Sequence, residues 1–201
     1  KNLSPYELSG GQKQRTALAG VLIDNVDILL FDEPLANLDP ATGKTAIEII
    51  NDIHQRMGKT ILIIEHRLED VLHRAVDRVI VINEGRIIAD MNAHELVSSN
   101  VLTSNGIREP LYVTALKYAG VQVTPEIKPG YIWSLDTSGV NEALRRWNRS
   151  VVTPPPAPPG PALLTIDHLS FSYDGVRQTL EEINFTITEG EMVSIVGKNG
   201  A

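Results

Sequence analysis

The run VDILLFDEP, Val26 to Pro34, constrains the fold more than any other stretch of the chain. Ile28, Leu29, Leu30 and Phe31 are consecutive and apolar, so neither face of the segment is reserved for water. A strand of that pattern is expected to be covered on both sides, as the strands of parallel sheets are. Parallel neighbours require crossover connections, usually helical, so the run commits the chain to an α/β architecture. Pro34 ends the strand because it has no N–H for a ladder.

The flanking pattern agrees. QKQRTALAGVLID combines helix formers with apolar residues at roughly helical spacing, after a loop at Tyr6 to Gly11. A helix is expected over about Pro40 to Met57, with Gly58 marking its C-terminal end. TILIIEH, Thr60 to His66, reads as a second buried strand, followed by a helix through about Leu72. RVIVINEGRIIADM, Arg78 to Met91, reads as a hairpin about Asn83-Glu84-Gly85. Short helices follow in HELVSS, VTALKYAG and VNEALRRWNR. TPPPAPPGPA, Thr153 to Ala162, holds six prolines and can form neither a helix interior nor a central strand. A semi-rigid polyproline II spacer and a domain boundary are expected there. Beyond it, LLTIDHLSFSYDG and INFTITEGEMVSIVGKNGA carry strand patterns, the last strand leading into glycines.

Composition narrows the class. The formal charge of -7 over 201 residues argues against a general nucleic-acid binder, although it leaves room for a local basic patch. No apolar run approaches the roughly 18 residues that span a bilayer. Cysteine is absent, which removes disulfides and thiolate metal sites from consideration.

ILLFDEP also carries the strongest chemical signal. In open α/β sheets, ligands gather outside the carboxyl ends of strands, and here two adjacent acids, Asp32 and Glu33, arrive at that end. Successive side chains point opposite ways, so one acid can serve Mg²⁺ while the other reaches a nucleophilic water. DE alone is equally an acidic, solvated loop after a core strand. LSGGQ, Leu8 to Gln12, adds a serine and two glycines just before a helix, a geometry that offers N–H groups to phosphate. SGG alone is also an ordinary N-cap with glycines in a turn.

Together, LSGGQ and, some twenty residues later, a strand ending in DEP resemble the nucleotide-binding domain of ATP-binding cassette proteins, a P-loop NTPase-like α/β fold. LSGGQ looks like the cassette signature, ILLFDEP like the Walker B strand, LANLD (Leu35 to Asp39) like the D-loop, and His66 like the switch histidine. The resemblance implies that Asp32 holds Mg²⁺ through water, that Glu33 acts as general base or polarises the attacking water, and that His66 contacts the γ-phosphate of ATP and helps organise the transition state. Ser9, Gly10, Gly11, Gln12 and Asp39 would contact nucleotide. His54, His73, His94 and His168 lack such context and are expected to be surface or satisfied residues; Glu65 is unassigned. GKNGA resembles the start of a Walker A loop, with Gly197, Asn199 and Gly200 wrapping phosphate. Lys198 occupies a variable position of that pattern. Tyr173, in FSYDG, sits where the family places an aromatic that stacks on adenine; it is otherwise a strand aromatic.

The motif order is inverted relative to a single cassette. Two tandem cassettes explain it: the C-terminal part of a first over residues 1–99, an interdomain linker over 100–162, and the N-terminal start of a second over 163–201. Both ends are then expected to be cuts. Cassettes pair head to tail, within a longer chain or with a second copy, so Ser9 to Gln12 would complete the ATP site begun by Tyr173 and Gly197. Asp32, Glu33 and His66 would serve the opposite one. The 201-residue chain alone, lacking a P-loop lysine, is expected to show no ATP turnover.

GIREPLYVTALKYAG, Gly106 to Gly120, resembles segments of tandem ATPases in energy-coupling factor importers. That resemblance implies a peripheral ATPase on the cytoplasmic face of the membrane. It would drive separate membrane-embedded subunits that take up a vitamin, a vitamin precursor or a metal ion, with no nucleic-acid partner. The rival from another class is a soluble tandem cassette ATPase acting in translation or DNA repair. Its relatives tend to carry charged or basic linkers, unlike the proline-rich one here.

Overall fold

A computed structural model describes residues 12–13, 16–17, 19–20, 26–36, 38–153, 155 and 160–197. They belong to two compact units, Lys1–Val152 and Thr153–Ala201. Most of the proline run, including Pro154, Pro156, Pro158 and Pro159, lies outside the described residues.

In the first unit, β1 (Ile28–Asp32) and β2 (Thr60–Ile64) pair in parallel, with Ile28 opposite Thr60 and Asp32 opposite Ile64. The crossover between them is α1 (Pro40–Met57). Asp39 caps it by accepting from the amides of Ala41 and Thr42 at 3.0 and 3.1 Å, and Pro40 opens it with a preset φ. Gly58 closes it at φ 63°, a conformation that costs glycine no Cβ clash, and donates its N–H to His54 O at 3.0 Å. Gly43, Ile47, Ile50 and Ile53 form its buried stripe. Ile47 and Ile50 pack with Leu35, Phe31, Ile61 and Ile63 on one face of the β1–β2 pair.

The expectation that both faces are covered is corrected. Ile28, Leu30, Leu62 and Ile64 point the other way and remain 66, 63, 50 and 46% exposed. The apolar run encodes a strand with two apolar faces, but the described elements provide α1 against only one.

A short helix α2 (Leu68–Val71) leads from β2 to the antiparallel hairpin β3 (Val79–Asn83) and β4 (Arg86–Met91). Its two-residue turn, Glu84 and Gly85, has φ of 49° and 73°, the doubly positive turn that matches strand twist. α3 (Ala93–Ser98), capped by the side chain of Asn92, and α4 (Val101–Ser104) follow. Leu96 and Leu102 pack on Val81 and Ala89 of the hairpin.

Residues 100–152, read from sequence as part of a linker, fold onto this body. α5 (Leu111–Tyr118), a 3-10 turn (Pro125–Ile127) and α6 (Val140–Ser150) are its regular elements. Val113 and Tyr131 enter one apolar cluster with Leu72, Ala93 and Val97. Tyr112 donates its hydroxyl to Pro129 O at 2.7 Å, and Gly130 N donates to His94 Nδ1 at 2.9 Å. α6 is strongly amphipathic: Val140 is buried, and Trp147 stacks on Tyr118 with centroids 6.2 Å apart.

The second unit is an antiparallel pair, β5 (Ala162–Phe171) and β6 (Leu180–Thr188), with irregular register. The strand expected before the terminal glycines does not form. Residues 191–197 have no regular structure, and Met192, Ile195 and Val196 are exposed. A parallel-sheet strand exists only by hydrogen bonding to neighbours, and no strand pairs with this segment among the described residues.

Candidate active site

Parallel pairing in register brings the carboxyl ends of β1 and β2 side by side, so residues 33 apart in sequence become neighbours. Glu33 N donates to Ile64 O at 2.9 Å, continuing the ladder one step beyond the strand. There Glu33 adopts φ 46°, in the left-handed region that residues other than glycine rarely occupy. Its Oε1 lies 3.1 Å from His66 Nε2. Glu33 and His66 side chains are 50 and 81% exposed, so the pair stands open to a ligand.

Asp32 is exposed at the last position of β1, and its carboxylate has no hydrogen bond or ion pair among the described residues. Nor do the described residues group three or more His, Cys, Asp or Glu side chains about a point that could hold a metal. One free carboxylate without a protein cage fits Mg²⁺, which keeps its waters and is held through one or two carboxylates and substrate phosphates. Asp39 has a second involvement: besides the two amides, it accepts from Thr42 Oγ1 at 2.7 Å. It is thus an N-cap as well as a D-loop candidate.

Around His66, two residues that sequence reasoning left unassigned hold the loop. Glu65 Oε1 accepts from Leu35 N at 2.8 Å, and Glu65 Oε2 accepts from the amides of His66 and Arg67 at 3.1 and 3.4 Å. The Arg67 guanidinium donates to Leu35 O and pairs with Asp70 Oδ2 at 3.3 Å. The only local hint was a charged residue on each side of the histidine.

The other four histidines each have a partner. His54 meets Lys59 O at 2.9 Å, His73 meets Glu48 at 2.9 Å, His94 takes the Gly130 amide, and His168 meets Glu182 at 2.5 Å.

In the second unit, Tyr173 is 85% exposed just past β5, with its ring edge-to-face on Phe171 at 4.9 Å. The turn after it is built on Asp174, whose Oδ1 accepts from Val176 N and Arg177 N at 2.9 Å each and from Ser172 Oγ at 3.1 Å. Those bonds, the two amides foremost, hold the Asp174 carboxyl below its usual range. Gln12 is helical and exposed, and Gly197 is exposed without regular structure. Ser9, Gly10, Gly11, Asn199 and Gly200 lie outside the described residues.

The α/β crossover, with Asp-Glu at the tip of one parallel strand and a histidine past the tip of the next, has the fold of cassettes of P-loop NTPase type. Family models agree. Residues 1–36 match the ABC transporter family, and residues 99–171 match a family described as ATP-binding cassette cobalt transporter. A Photobacterium profundum protein, provisionally named an ABC transporter ATP-binding protein, is 53% identical over the whole chain, which covers 36% of that protein. A Clostridium perfringens protein of the same provisional name is 52% identical, with 100% of this chain and 35% of that protein covered. Over its whole length the chain is similar to ABC transporter ATP-binding proteins. It spans about a third of the length of the curated relatives it matches. Among solved structures, the archaeal ribosome recycling factor, in complex with a ribosomal stalk protein, aligns with 96% of this chain and 32% of its own. Its TM-score is 0.50 at 22% identity, a likeness of fold.

Proposed function

We propose that this chain supplies catalytic and nucleotide-contacting parts of an ATP-hydrolysing subunit that powers uptake through separate membrane-embedded subunits. The observation that carries the proposal is the 3.1 Å approach of Glu33 to His66 beside the exposed Asp32, at the tips of parallel strands. Glu33 would polarise an attacking water. His66 would contact the γ-phosphate and, through its bond to Glu33, orient that carboxylate. Asp32 would hold Mg²⁺ through water, and the ion would offset phosphate charge when bound. Ser9, Gly10, Gly11 and Gln12 would offer backbone N–H groups and a hydroxyl to phosphate across a cassette–cassette interface. Tyr173 would stack on adenine, Gly197, Asn199 and Gly200 would follow the phosphates, and Asp39 would join the interface.

Among the described residues no helix is long and apolar enough to cross a membrane. The subunit would sit peripherally at the cytoplasmic face of the membrane. The match of residues 99–171 to a cobalt-transporter family supports an energy-coupling factor type of importer. Of a vitamin, a vitamin precursor and a metal ion, it favours the metal ion.

The test uses a chain of the relatives' full length that carries this sequence, co-expressed with its membrane subunits. Mg²⁺-dependent ATP hydrolysis should be lost in Glu33→Gln while ATP binding persists, and vesicles bearing the complex should accumulate cobalt. Hydrolysis untouched by Glu33→Gln would overturn the catalytic assignment. Co-purification with ribosomes and not with membrane subunits would overturn the transport assignment.

A further inference from the structure

We infer that Glu65 and Arg67 are positioning residues that lock the His66 loop to the segment following Glu33 by gripping both polar ends of Leu35. The inference rests on the hydrolytic reading of the Glu33–His66 pair. Leu35 lies two residues beyond Glu33, and its side chain is fully buried against Ile47 and Ile50. Its N–H is held by Glu65 Oε1 at 2.8 Å, and its C=O receives the Arg67 guanidinium. The second Glu65 oxygen turns back onto the amides of His66 and Arg67, at 3.1 and 3.4 Å. One carboxylate therefore fixes the backbone of both loops at once. Asp70 Oδ2, 3.3 Å from Arg67 Nε, holds the guanidinium from the α2 side.

The consequence is geometric. β1 and β2 end at Asp32 and Ile64, so beyond those residues the sheet ladder extends only to the Glu33 N–H. The Glu33–His66 contact depends on two short loops keeping their relative place. Two side chains flanking His66 and one buried residue after Glu33 provide that constraint. Leu35, anchored in the α1 packing, is the fixed point to which the histidine loop is referred. Neither Glu65 nor Arg67 touches the reacting groups.

The test compares Glu65→Ala, Glu65→Gln and Arg67→Ala with the unaltered protein, in a chain of the relatives' full length carrying this sequence. Glu65→Ala should speed deuterium exchange in the peptide containing the Leu35 amide by about tenfold. A displaced catalytic pair predicts a kcat loss of about tenfold to a hundredfold, with KM for ATP held within about twofold. Glu65→Gln keeps an acceptor for Leu35 and should lose less than Glu65→Ala, which also covers the case in which the alanine variant folds poorly. Turnover within about twofold of the unaltered protein in both Glu65→Ala and Arg67→Ala would overturn the inference. So would an unchanged exchange rate at Leu35, or a loss confined to KM. Failure of the hydrolytic reading itself looks different: the unaltered protein does not hydrolyse ATP, or Glu33→Gln leaves turnover intact, and the inference falls with it.

Discussion

Tyr131 closes a two-way bridge with the backbone of Val76, 55 residues earlier. Its hydroxyl accepts from Val76 N at 3.1 Å and donates to Val76 O at 3.0 Å. The ring is buried in the cluster of Leu72, Ala93, Val97 and Val113, edge-on to His94. This one side chain pins the segment after α5 to the connection between α2 and β3.

Tyr131→Phe keeps the ring and removes the bridge, leaving the Val76 amide without its partner in a partly buried site. A loss of about 1–3 kcal/mol in unfolding free energy is expected. Urea denaturation followed by circular dichroism measures it, and an unchanged midpoint would show that the bridge contributes nothing.

Gly130 sits against the start of α3 with no room for a side chain. A Cβ there would lie 2.7 Å from both N and Nδ1 of His94 and 2.9 Å from Ala93 C. Two of those three neighbours are backbone atoms, which cannot swing aside. Gly130→Ala should destabilise the first unit by about 1–3 kcal/mol through overpacking, read as a lower melting temperature. The same substitution at Gly20, where nothing among the described residues lies within 4 Å, provides the comparison.

Asp39 can be tested for its two roles separately. Asp39→Ala removes the acceptors for Ala41 N and Thr42 N and should cost about 1 kcal/mol of stability. Asp39→Asn keeps an oxygen that caps the helix and should stay within a few tenths, roughly 0.3 kcal/mol, of the unaltered chain. If Asp39→Asn in a full-length chain still lowers ATP turnover, the carboxylate acts beyond its capping bond. Equal turnover would confine Asp39 to capping.

Glu48 joins α1 to the end of the α2 segment, pairing with Arg74 at 2.6 Å and His73 at 2.9 Å. The bond to Arg74 first, and His73 after it, hold the Glu48 carboxyl below its ordinary 4.5. The unfolded chain therefore takes up the proton at a higher pH than the folded one. The stabilisation is fully present above about pH 4.5 and drains away as pH falls through the lower folded value. With the carboxylate about a third exposed, solvent screening keeps the effect under about 1 kcal/mol. Glu48→Gln should flatten the acid limb of stability below about pH 4.5 and leave the neutral region nearly unchanged. Parallel acid limbs would remove this pair from the acid response.

Much of this architecture was legible because its punctuation is local. Asp39, Pro40 and Gly58 state the two ends of α1 in single residues, and Asn83-Glu84-Gly85 states the hairpin turn. The β2 strand, read through His66, stops at Ile64 because pairing with β1 stops there; only the partner's length could have revealed that. α4 was missed because four residues carry no period. The folding of residues 100–152 onto the first body depends on Val113 and Tyr131 finding apolar partners far away in sequence, which spacing does not encode. Glu65 and Arg67 stayed unassigned for the same reason: their bonds to Leu35 span 30 and 32 residues. The positions of Asp32, Glu33 and His66 at neighbouring strand tips were legible because sequence could place the two strands.

The left-handed backbone at Glu33 has a consequence for how such a chain tolerates change. A side chain there costs about 1–2 kcal/mol that glycine would not incur. Glu33→Gly should therefore yield a hardier fold and an idle site. On the proposed hydrolytic role of Glu33, sturdiness and turnover would pull against each other at this single position, and a screen for heat tolerance alone would select for silent protein.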